Sequence, residues 1–341
     1  MNNTKRLGKQ TVKFENPPSI ISEYSIAGKK ENEGKLKGMF DKTIDDAMYG
    51  EDSWEKAESK LMKSALHGVI SKSEIAENDI NYIFAGDLLN QCSGSHYAVR
   101  GFNIPFFGLY GACSTMAESL SLASMSIDGG FADYAIASTS SHFCSAEKQF
   151  RFPLEYGGQR TPTAQWTVTG SGAVLLGKHE KPPYITHVTT GKIVDMGIKD
   201  ANNMGAAMAP AAADAIKTHF EDTGFRPEDY DLIATGDLGY VGSELLNMLM
   251  KENGFNIENV HNDCGCMIFY EKEQDVHSGG SGCGCSAVTL CAKILKEIRS
   301  GKLSKVLFIA TGALLSQASP LQGETIPCIA HCVRITSGEV C

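Results

Sequence analysis

Residues 77–88 read ENDINYIFAGDL, and residues 227–238 read PEDYDLIATGDL. In both stretches an acidic turn leads into a short apolar run that ends in Gly-Asp-Leu, so that Asp87 corresponds to Asp237. A short, continuous apolar run bounded by turn residues is typical of a strand buried on both faces. The two stretches therefore predict the same local structure, and they show that the chain contains an internal repeat.

The segments around the two strands repeat as well. Apolar residues at helical spacing precede the first copy over residues 53–69 and the second over residues 211–223. A second helix and strand follow each copy, with corresponding positions at Cys113 and Cys285, Gly129 and Gly301, and Thr139 and Thr311. Alternating helices and buried strands predict an α/β fold. We expect one compact body built from two halves, residues 1–190 and residues 191–341.

The composition excludes several classes of protein. The 341 residues are 42% hydrophobic and 21% charged, the balance of a globular chain. A formal net charge of -9 argues against a nucleic-acid partner, which requires a basic face. No run approaches the roughly 20 apolar residues of a membrane span, and the polar start MNNTKR does not resemble a signal peptide. The odd number of cysteines, eleven, favours reduced thiols in the cytosol.

Two glycine- and cysteine-containing stretches begin the predicted central helices. They are residues 111–115, GACST, and residues 279–285, GGSGCGC. This arrangement resembles the thiolase superfamily, which implies a thiolase-like five-layered α-β-α-β-α fold with internal duplication. From about residue 10 to residue 335 the chain also resembles the stage V sporulation protein AD family, in residues 14–18, 50–58, 85–91, 155–160, 202–210 and 274–277.

The resemblance to the sporulation family carries functional expectations. It implies binding of dipicolinic acid (pyridine-2,6-dicarboxylate), or its calcium chelate, and uptake of that acid into the developing spore together with the SpoVA membrane proteins. It implies no cofactor, with calcium entering only as a chelate with the ligand. The analogy with thiolase-like proteins also implies a homodimer. The expected location is peripheral, on the cytoplasmic side of the forespore or spore inner membrane.

Cys113 occupies the position where the superfamily keeps its nucleophile. A helix start lowers the pKa of a thiol, but acyl transfer also needs a base. In the condensing-enzyme relatives a histidine follows the strand that matches residues 231–234, whereas residues 235–239 here read TGDLG. Residues 310–313, where the second cysteine of thiolases should fall, read ATGA. We therefore predict a degenerate active site in a protein that is not an enzyme.

Groups suited to a diacid concentrate in a loop insertion at about residues 142–165. An arginine grips a carboxylate through two parallel hydrogen bonds, which makes Arg151 and Arg160 candidates. The predicted ligand-binding residues are Cys113, His142, Gln149, Arg151, Arg160, Asn90, Asp237 and His277. Purely structural roles stay open for each: the arginines can pair with nearby glutamates, His142 can hold the backbone, and Asp237 can cap a helix.

Two other functions stay open on the sequence alone. One is an acyl-transfer or condensing enzyme that uses Cys113, with His142 or His277 as its base. The other is a structural scaffold for the membrane complex, with a vestigial pocket. The two Cys-Gly-Cys segments, at residues 264–266 and 283–285, have a spacing shorter than that of ordinary zinc sites, so we expect no metal site.

Overall fold

The computed structural model describes residues 5–150, 159–178 and 181–338. Its strands are β1 (Arg6–Leu7), β2 (Thr11–Lys13), β3 (Ser19–Ala27), β4 (Lys42–Thr43), β5 (Tyr82–Gly86), β6 (Phe106–Gly108), β7 (Tyr134–Ser141), β8 (Trp166–Thr167), β9 (Gly170–Gly177), β10 (Tyr184–Thr189), β11 (Leu232–Thr235), β12 (His261–Asp263), β13 (Gly280–Ser281), β14 (Lys305–Ala313) and β15 (Cys328–Thr336). Its α-helices are α1 (Lys29–Asn32), α2 (Trp54–Ser73), α3 (Ser93–Val99), α4 (Thr115–Asp128), α5 (Phe143–Phe150), α6 (Met204–Thr223), α7 (Gly239–Glu252), α8 (Cys264–Ile268), α9 (Cys283–Thr289), α10 (Leu295–Arg299) and α11 (Ala318–Leu321).

The main strands form two sets with the same topology. The first set runs in the order β3-β9-β7-β5-β6, and the second in the order β10-β15-β14-β11-β12. In both sets the first two pairings are antiparallel and the last two are parallel. The sets meet where Tyr184 of β10 pairs with Ser19 of β3. The predicted internal duplication is therefore confirmed at the level of strand order and direction.

Side chains on each sheet alternate between two cores, because successive residues of a strand point to opposite faces. In β14, Val306 and Phe308 pack into the central core with α4 and α9, whereas Leu307 and Ile309 pack against α6 and α7. Strand β9 alternates in the same way between the central core and the core under α2. The result is the five-layered α-β-α-β-α arrangement expected from the sequence.

The central layer brings the helix starts of both halves close to the sheets. A side chain at Gly284, in α9, would meet the Oγ of Ser141 at 2.5 Å and the carbonyl oxygen of Gly170 at 2.7 Å. At Gly312 of β14, a side chain would collide with the carbonyl oxygen of Gly111. Glycine at these positions therefore lets the turn that carries Cys113 lie directly against the second sheet.

The predicted elements agree with the structure apart from their ends, except that the first part of the predicted loop insertion forms helix α5. Helix α2 begins after its N-cap Ser53, whose side chain accepts a hydrogen bond from the backbone of Lys56. Cys113 lies in a 3₁₀ turn, Ala112–Ser114, that precedes α4. The predicted division between residues 190 and 191 stays a prediction. Strand β10, which ends just before it, pairs with β15 of the second set and also with β2 near the start of the chain. Within the described ranges, no helix has the length and apolar character needed to cross a membrane.

Candidate functional site

A cavity of about 1150 Å³ lies where the carboxyl ends of β5 and β14 meet, beside α5. Residues that follow β5 form one wall, and the segment after β14 forms another. Cys113 and Ser281, from the starts of the central helices or just before them, also line it. Among the described residues, seven carboxamide side chains contribute to the lining: Asn90, Gln91, Gln149, Gln159, Gln165, Asn202 and Gln317. Such groups donate and accept hydrogen bonds without carrying charge.

The thiol of Cys113 is paired with a carboxyl group. Its sulfur lies close enough to the carboxyl group of Asp237 for the two groups to affect each other's pKa. Burial raises the pKa of the Cys113 thiol well above its ordinary value, and the negative charge of Asp237 raises it further. The start of a helix favours a thiolate, but here the thiol lies beside an acceptor and away from solvent. Cys113 is therefore protonated at neutral pH.

Asp237 is fixed by three hydrogen-bond donors. The hydroxyl of Thr311 donates to its Oδ1 at 2.7 Å, while the hydroxyl of Ser281 and the backbone N–H of Gly282 each donate to Oδ2 at 3.1 Å. Burial raises the pKa of Asp237, and these hydrogen bonds oppose that rise. Asp237 lies at the end of the second-half strand, in the segment where the sequence lacked the histidine of condensing enzymes. The structure brings Asp237 into direct contact with Cys113.

A pair of buried carboxyl groups lies behind the first-half wall. Glu58 of α2 accepts a hydrogen bond from the hydroxyl of Ser145 at 2.5 Å, and Ser145 lines the cavity. Burial, together with the nearby charge of Asp87, raises the pKa of Glu58 to about 8. The pKa of Asp87 is also raised by burial, although the side chain and backbone of Ser95 donate hydrogen bonds to its Oδ2.

Sequence analysis missed Glu58, but a signal for it existed. Glu58, Met62, Ala65 and Val69 recur at helical spacing, and all four are buried on one face of α2. A glutamate in the apolar stripe of a helix is uncommon, because a buried charge requires a partner or a proton. The position of the residue in that stripe was therefore the available indication of an unusual carboxyl group.

Of the predicted ligand-binding residues, three line the cavity: Cys113, Asn90 and Gln149. The side chain of Gln149 bridges two backbone groups, accepting from the N–H of Asn90 at 3.0 Å and donating to the carbonyl of Leu88 at 2.8 Å. This bridge fixes the turn after β5. Asp237 lies directly behind Cys113. Arg151 lies outside the described residues.

The other three predicted residues are not among those that line the cavity. Both ring nitrogens of His142 are engaged: Nε2 donates to the carbonyl of Ala47 at 2.8 Å, and Nδ1 accepts from the N–H of Cys144 at 3.1 Å. Burial lowers the pKa of His142. The Nδ1 of His277 donates to the carbonyl of Thr161 at 2.7 Å. For these residues, ligand contact stays a prediction.

Arg160 takes part in a stack around Trp166. Its guanidinium carbon lies 4.8 Å from the centre of the Trp166 ring, and the Nζ of Lys30 lies 3.7 Å from the same centre. Phe143 stacks on the indole with ring centres 3.8 Å apart. These cation–π and aromatic contacts anchor the segment that carries Gln165 and Thr167, two residues of the cavity wall.

Of the seven described non-glycine residues with a positive φ angle, three lie in or beside the cavity. Gln91, Cys92 and Ala112 adopt positive φ angles of 56°, 52° and 50° without being glycine. Left-handed conformations cost L-residues about 1–2 kcal/mol each. Gln91 and Ala112 line the cavity, and Cys92 adjoins it in sequence. Strain of this kind persists where the surrounding structure holds a functional geometry, which supports the cavity as the functional site.

The duplicated five-layer fold, with a cysteine at the start of a central helix, defines a thiolase-fold protein. Solved structures agree. A crystal structure of an OleA variant from Xanthomonas campestris covers 97% of this chain and 99% of its own, with a TM-score of 0.58 and 14% identity. That of 3-oxoacyl-(acyl-carrier-protein) synthase III from Aquifex aeolicus VF5 covers 94% and 99%, with a TM-score of 0.56 and 12% identity. At such identities the likeness concerns the fold.

Sequence comparison is more specific. Residues 8–336 match the family model described as Stage V sporulation protein AD. The curated protein of that name from Bacillus subtilis (strain 168) is 49% identical over 327 residues, which cover 96% of each chain. The chain belongs to the Stage V sporulation protein AD family.

Proposed function

We propose that this chain is a non-catalytic thiolase-fold protein that binds dipicolinic acid, or its calcium chelate, and supports its uptake into the developing spore together with the SpoVA membrane proteins. The observation that carries the proposal is the cavity beside Cys113, whose thiol faces the carboxyl group of Asp237 instead of a histidine. Membership in a family named for sporulation supplies the biological setting.

The pairing of Cys113 with Asp237 argues against acyl transfer. A nucleophilic cysteine needs a base that takes its proton and then stabilises the thiolate as a cation. A carboxylate beside the sulfur has the opposite effect, because it makes the thiolate less favourable. Among the described residues that line the cavity, none is a histidine. His142 and His277, the two candidate bases, hydrogen bond to backbone carbonyls elsewhere.

Labelling experiments test the acyl-transfer alternative. We expect iodoacetamide at pH 7 to leave Cys113 unmodified, and incubation with acetyl-coenzyme A to produce no acetyl-thioester on it. Peptide mass spectrometry measures both, and a Cys113→Ala variant identifies the peptide. An acetylated Cys113 that releases its acyl group to an acceptor would establish the enzyme and end the non-catalytic proposal.

The lining suits a small, planar diacid. Carboxamide and hydroxyl groups donate hydrogen bonds to carboxylate oxygens, and the leucine and alanine residues of the wall provide apolar contact for a ring. Lys148 supplies a positive charge at the wall, where its Nζ lies 2.6 Å from the Oε1 of Glu55. Hydrogen bonds to ionised groups are worth about 1.5–3 kcal/mol each, so a few of them give a specific complex.

Calorimetric titration with dipicolinic acid, with and without calcium, tests binding. We expect Lys148→Met to weaken binding about tenfold or more, since a charged hydrogen bond contributes about 1.5–3 kcal/mol. Lys192→Met is the matched control, because Lys192 forms a similar ion pair with Asp214 at 2.9 Å and does not line the cavity. Arg151→Ala and Arg160→Ala test the two predicted arginines. If millimolar ligand produces neither heat nor thermal stabilisation, binding is disproved and the scaffold hypothesis takes its place.

We also propose that two copies associate through the outer edge of the first set of strands, β3-β9-β7-β5-β6. Strand β6 ends that sheet, and Phe107 on β6 and the nearby Tyr110 are exposed aromatic residues. Unpaired edge strands are ready to pair with another chain. Sedimentation equilibrium is expected to give a dimer for the wild type and a monomer for Phe107→Glu. A monomeric wild-type protein would disprove the dimer.

A further inference from the structure

The two buried carboxyl groups behind the first-half wall of the cavity have no contact with solvent. Glu58 and Asp87 are 1% and 0% exposed. Each carboxyl group accepts a hydrogen bond from a residue that lines the cavity. Ser145, which donates to Glu58, is itself a lining residue, and Leu89, whose backbone N–H donates to Asp87 at 2.8 Å, is another. Charge on this pair therefore acts on a ligand across a thin, low-dielectric wall.

The surroundings of the pair offer hydroxyl and amide donors. Ser145 and Ser140 donate to Glu58 at 2.5 and 3.3 Å, and Ser95 donates to Asp87. Within the described ranges, the ion pairs of the structure include neither carboxyl group. Burial without a cation favours the neutral acid.

The titratable groups that face the pair carry the same sign or no charge. Asp87 and Glu55 both raise the pKa of Glu58 through their negative charge. Cys283, at the start of α9, faces both carboxyl groups, and burial raises the pKa of its thiol well above the ordinary value. On the neighbouring elements, Lys148 of α5 and His142 after β7 face Glu55. A proton is therefore the available means of neutralising Glu58.

We propose that Glu58 and Asp87 form a proton-binding pair beneath the cavity, so that an anionic ligand binds together with a proton and loses affinity at alkaline pH. This inference rests on the proposed function. An ionised pair would place negative charge next to the ligand's carboxylates, and protonation removes that repulsion. By linkage, the bound anion in turn favours the protonated form of the pair.

The direction of the pH dependence follows. With the pKa of Glu58 raised to about 8 in the free protein, the pair holds its proton below that pH, and affinity for the anion is constant there. Above it, each binding event must take up a proton, and Kd rises about tenfold per pH unit. The ligand's own carboxyl groups do not contribute, because carboxylic acids ordinarily titrate near pH 4.

Calorimetry with calcium-free dipicolinic acid at pH 6, 7, 8 and 9 measures this linkage, and repeating each titration in buffers of different ionisation enthalpy counts the protons taken up. We expect a flat Kd to about pH 7, a steep rise by pH 9, and proton uptake that approaches one. Glu58→Gln should remove most of the rise. Asp52→Asn, an exposed carboxyl group that pairs with Lys56 and does not line the cavity, should retain it.

The outcomes separate this inference from the proposed function. If dipicolinic acid binds with the same Kd and no proton uptake from pH 6 to pH 9, the proton-binding pair is refuted and the binding function stands. If the acid does not bind at any pH, the proposed function fails first. Should Glu58→Gln not fold, Asp87→Asn provides the second variant, and an unchanged pH dependence in it would also overturn the inference.

Discussion

Replacing Glu58 by glutamine tests the buried carboxyl group without any ligand. Glutamine has nearly the same shape and can accept the hydrogen bond of Ser145, but it cannot ionise. The substitution therefore removes one effect, which is the loss of folding free energy that arises when a carboxyl group with a raised pKa must ionise in the folded protein. We expect Glu58→Gln to be close to the wild type in stability at pH 5 and more stable than the wild type at neutral pH.

The magnitude follows from the pKa of the folded and unfolded states. Glu58 has its ordinary pKa of 4.5 when the chain is unfolded, and about 8 when it is folded. Because the folded pKa is raised, the wild type has its full stability below pH 4.5 and loses stability as the pH rises towards 8. The loss is about 1.4 kcal/mol per pH unit, or about 3 kcal/mol between pH 5 and pH 7.

Urea unfolding at pH 5, 6 and 7, followed by circular dichroism, measures this difference. Other buried acids, such as Asp263, whose pKa burial raises to about 7, contribute equally in both proteins and cancel. Glu55→Gln is the control. Burial alone would raise the pKa of Glu55, but the hydrogen bond from Lys148 lowers it. Glu55→Gln should therefore lose stability relative to the wild type as the pH rises from 5 to 7. A Glu58→Gln gain that does not change with pH would refute the reasoning.

Two further predictions use the internal repeat and the strained turn. Thr311→Val removes a hydrogen bond to the carboxyl group of Asp237 and should lower the free energy of unfolding by about 1.5–3 kcal/mol. Thr139 occupies the corresponding position of the first half, where its hydroxyl donates to a carbonyl oxygen. Thr139→Val should therefore lower the free energy of unfolding by only about 0.5–1.5 kcal/mol. Equal losses in urea unfolding would mean that Asp237 is not ionised. Ala112→Gly should be better tolerated than Ala117→Gly in α4 by about 1 kcal/mol or more, since only Ala112 has a left-handed backbone. Thermal unfolding measures the difference, and equal losses would contradict the strain at Ala112.

Much of the fold was predictable from local sequence. The repeated Gly-Asp-Leu strand ends lie at β5 and β11, and the repeated helix starts lie in the central layer. These features were accessible because burial on both faces of a strand, and close packing at a glycine, each leave a pattern in the residues themselves. The repeat required both halves to share one topology, but the order of the strands within each half came from the structure.

The residues of the site were predictable only where their type and their position at the end of a predicted helix or strand indicated a role. Cys113 and Asp237 stood at recognisable helix and strand ends, and they meet. Glu58 was missed because its neighbours Ser145 and Asp87 are distant in sequence, and the contact depends on how α5 and β5 pack against α2. His142 follows a strand whose end faces the cavity, yet its ring turns to the carbonyl of Ala47. A strand end fixes the position of a residue but leaves the direction of its side chain to packing.

An aspartate in place of a histidine changes what the rest of the site is suited to bind. In an acyl-transfer site, the positive end of the central helix would stabilise a thiolate; here the thiol of Cys113 keeps its proton, so that end is free to favour an anion from outside. Three buried carboxyl groups, those of Asp237, Glu58 and Asp87, oppose such an anion while they are ionised. Because burial raises the pKa of Glu58 to about 8, protonation of that group relieves part of this opposition at neutral pH. For the proposed carboxylate ligand, we therefore expect the protons held beneath the cavity to influence affinity together with the groups that line it.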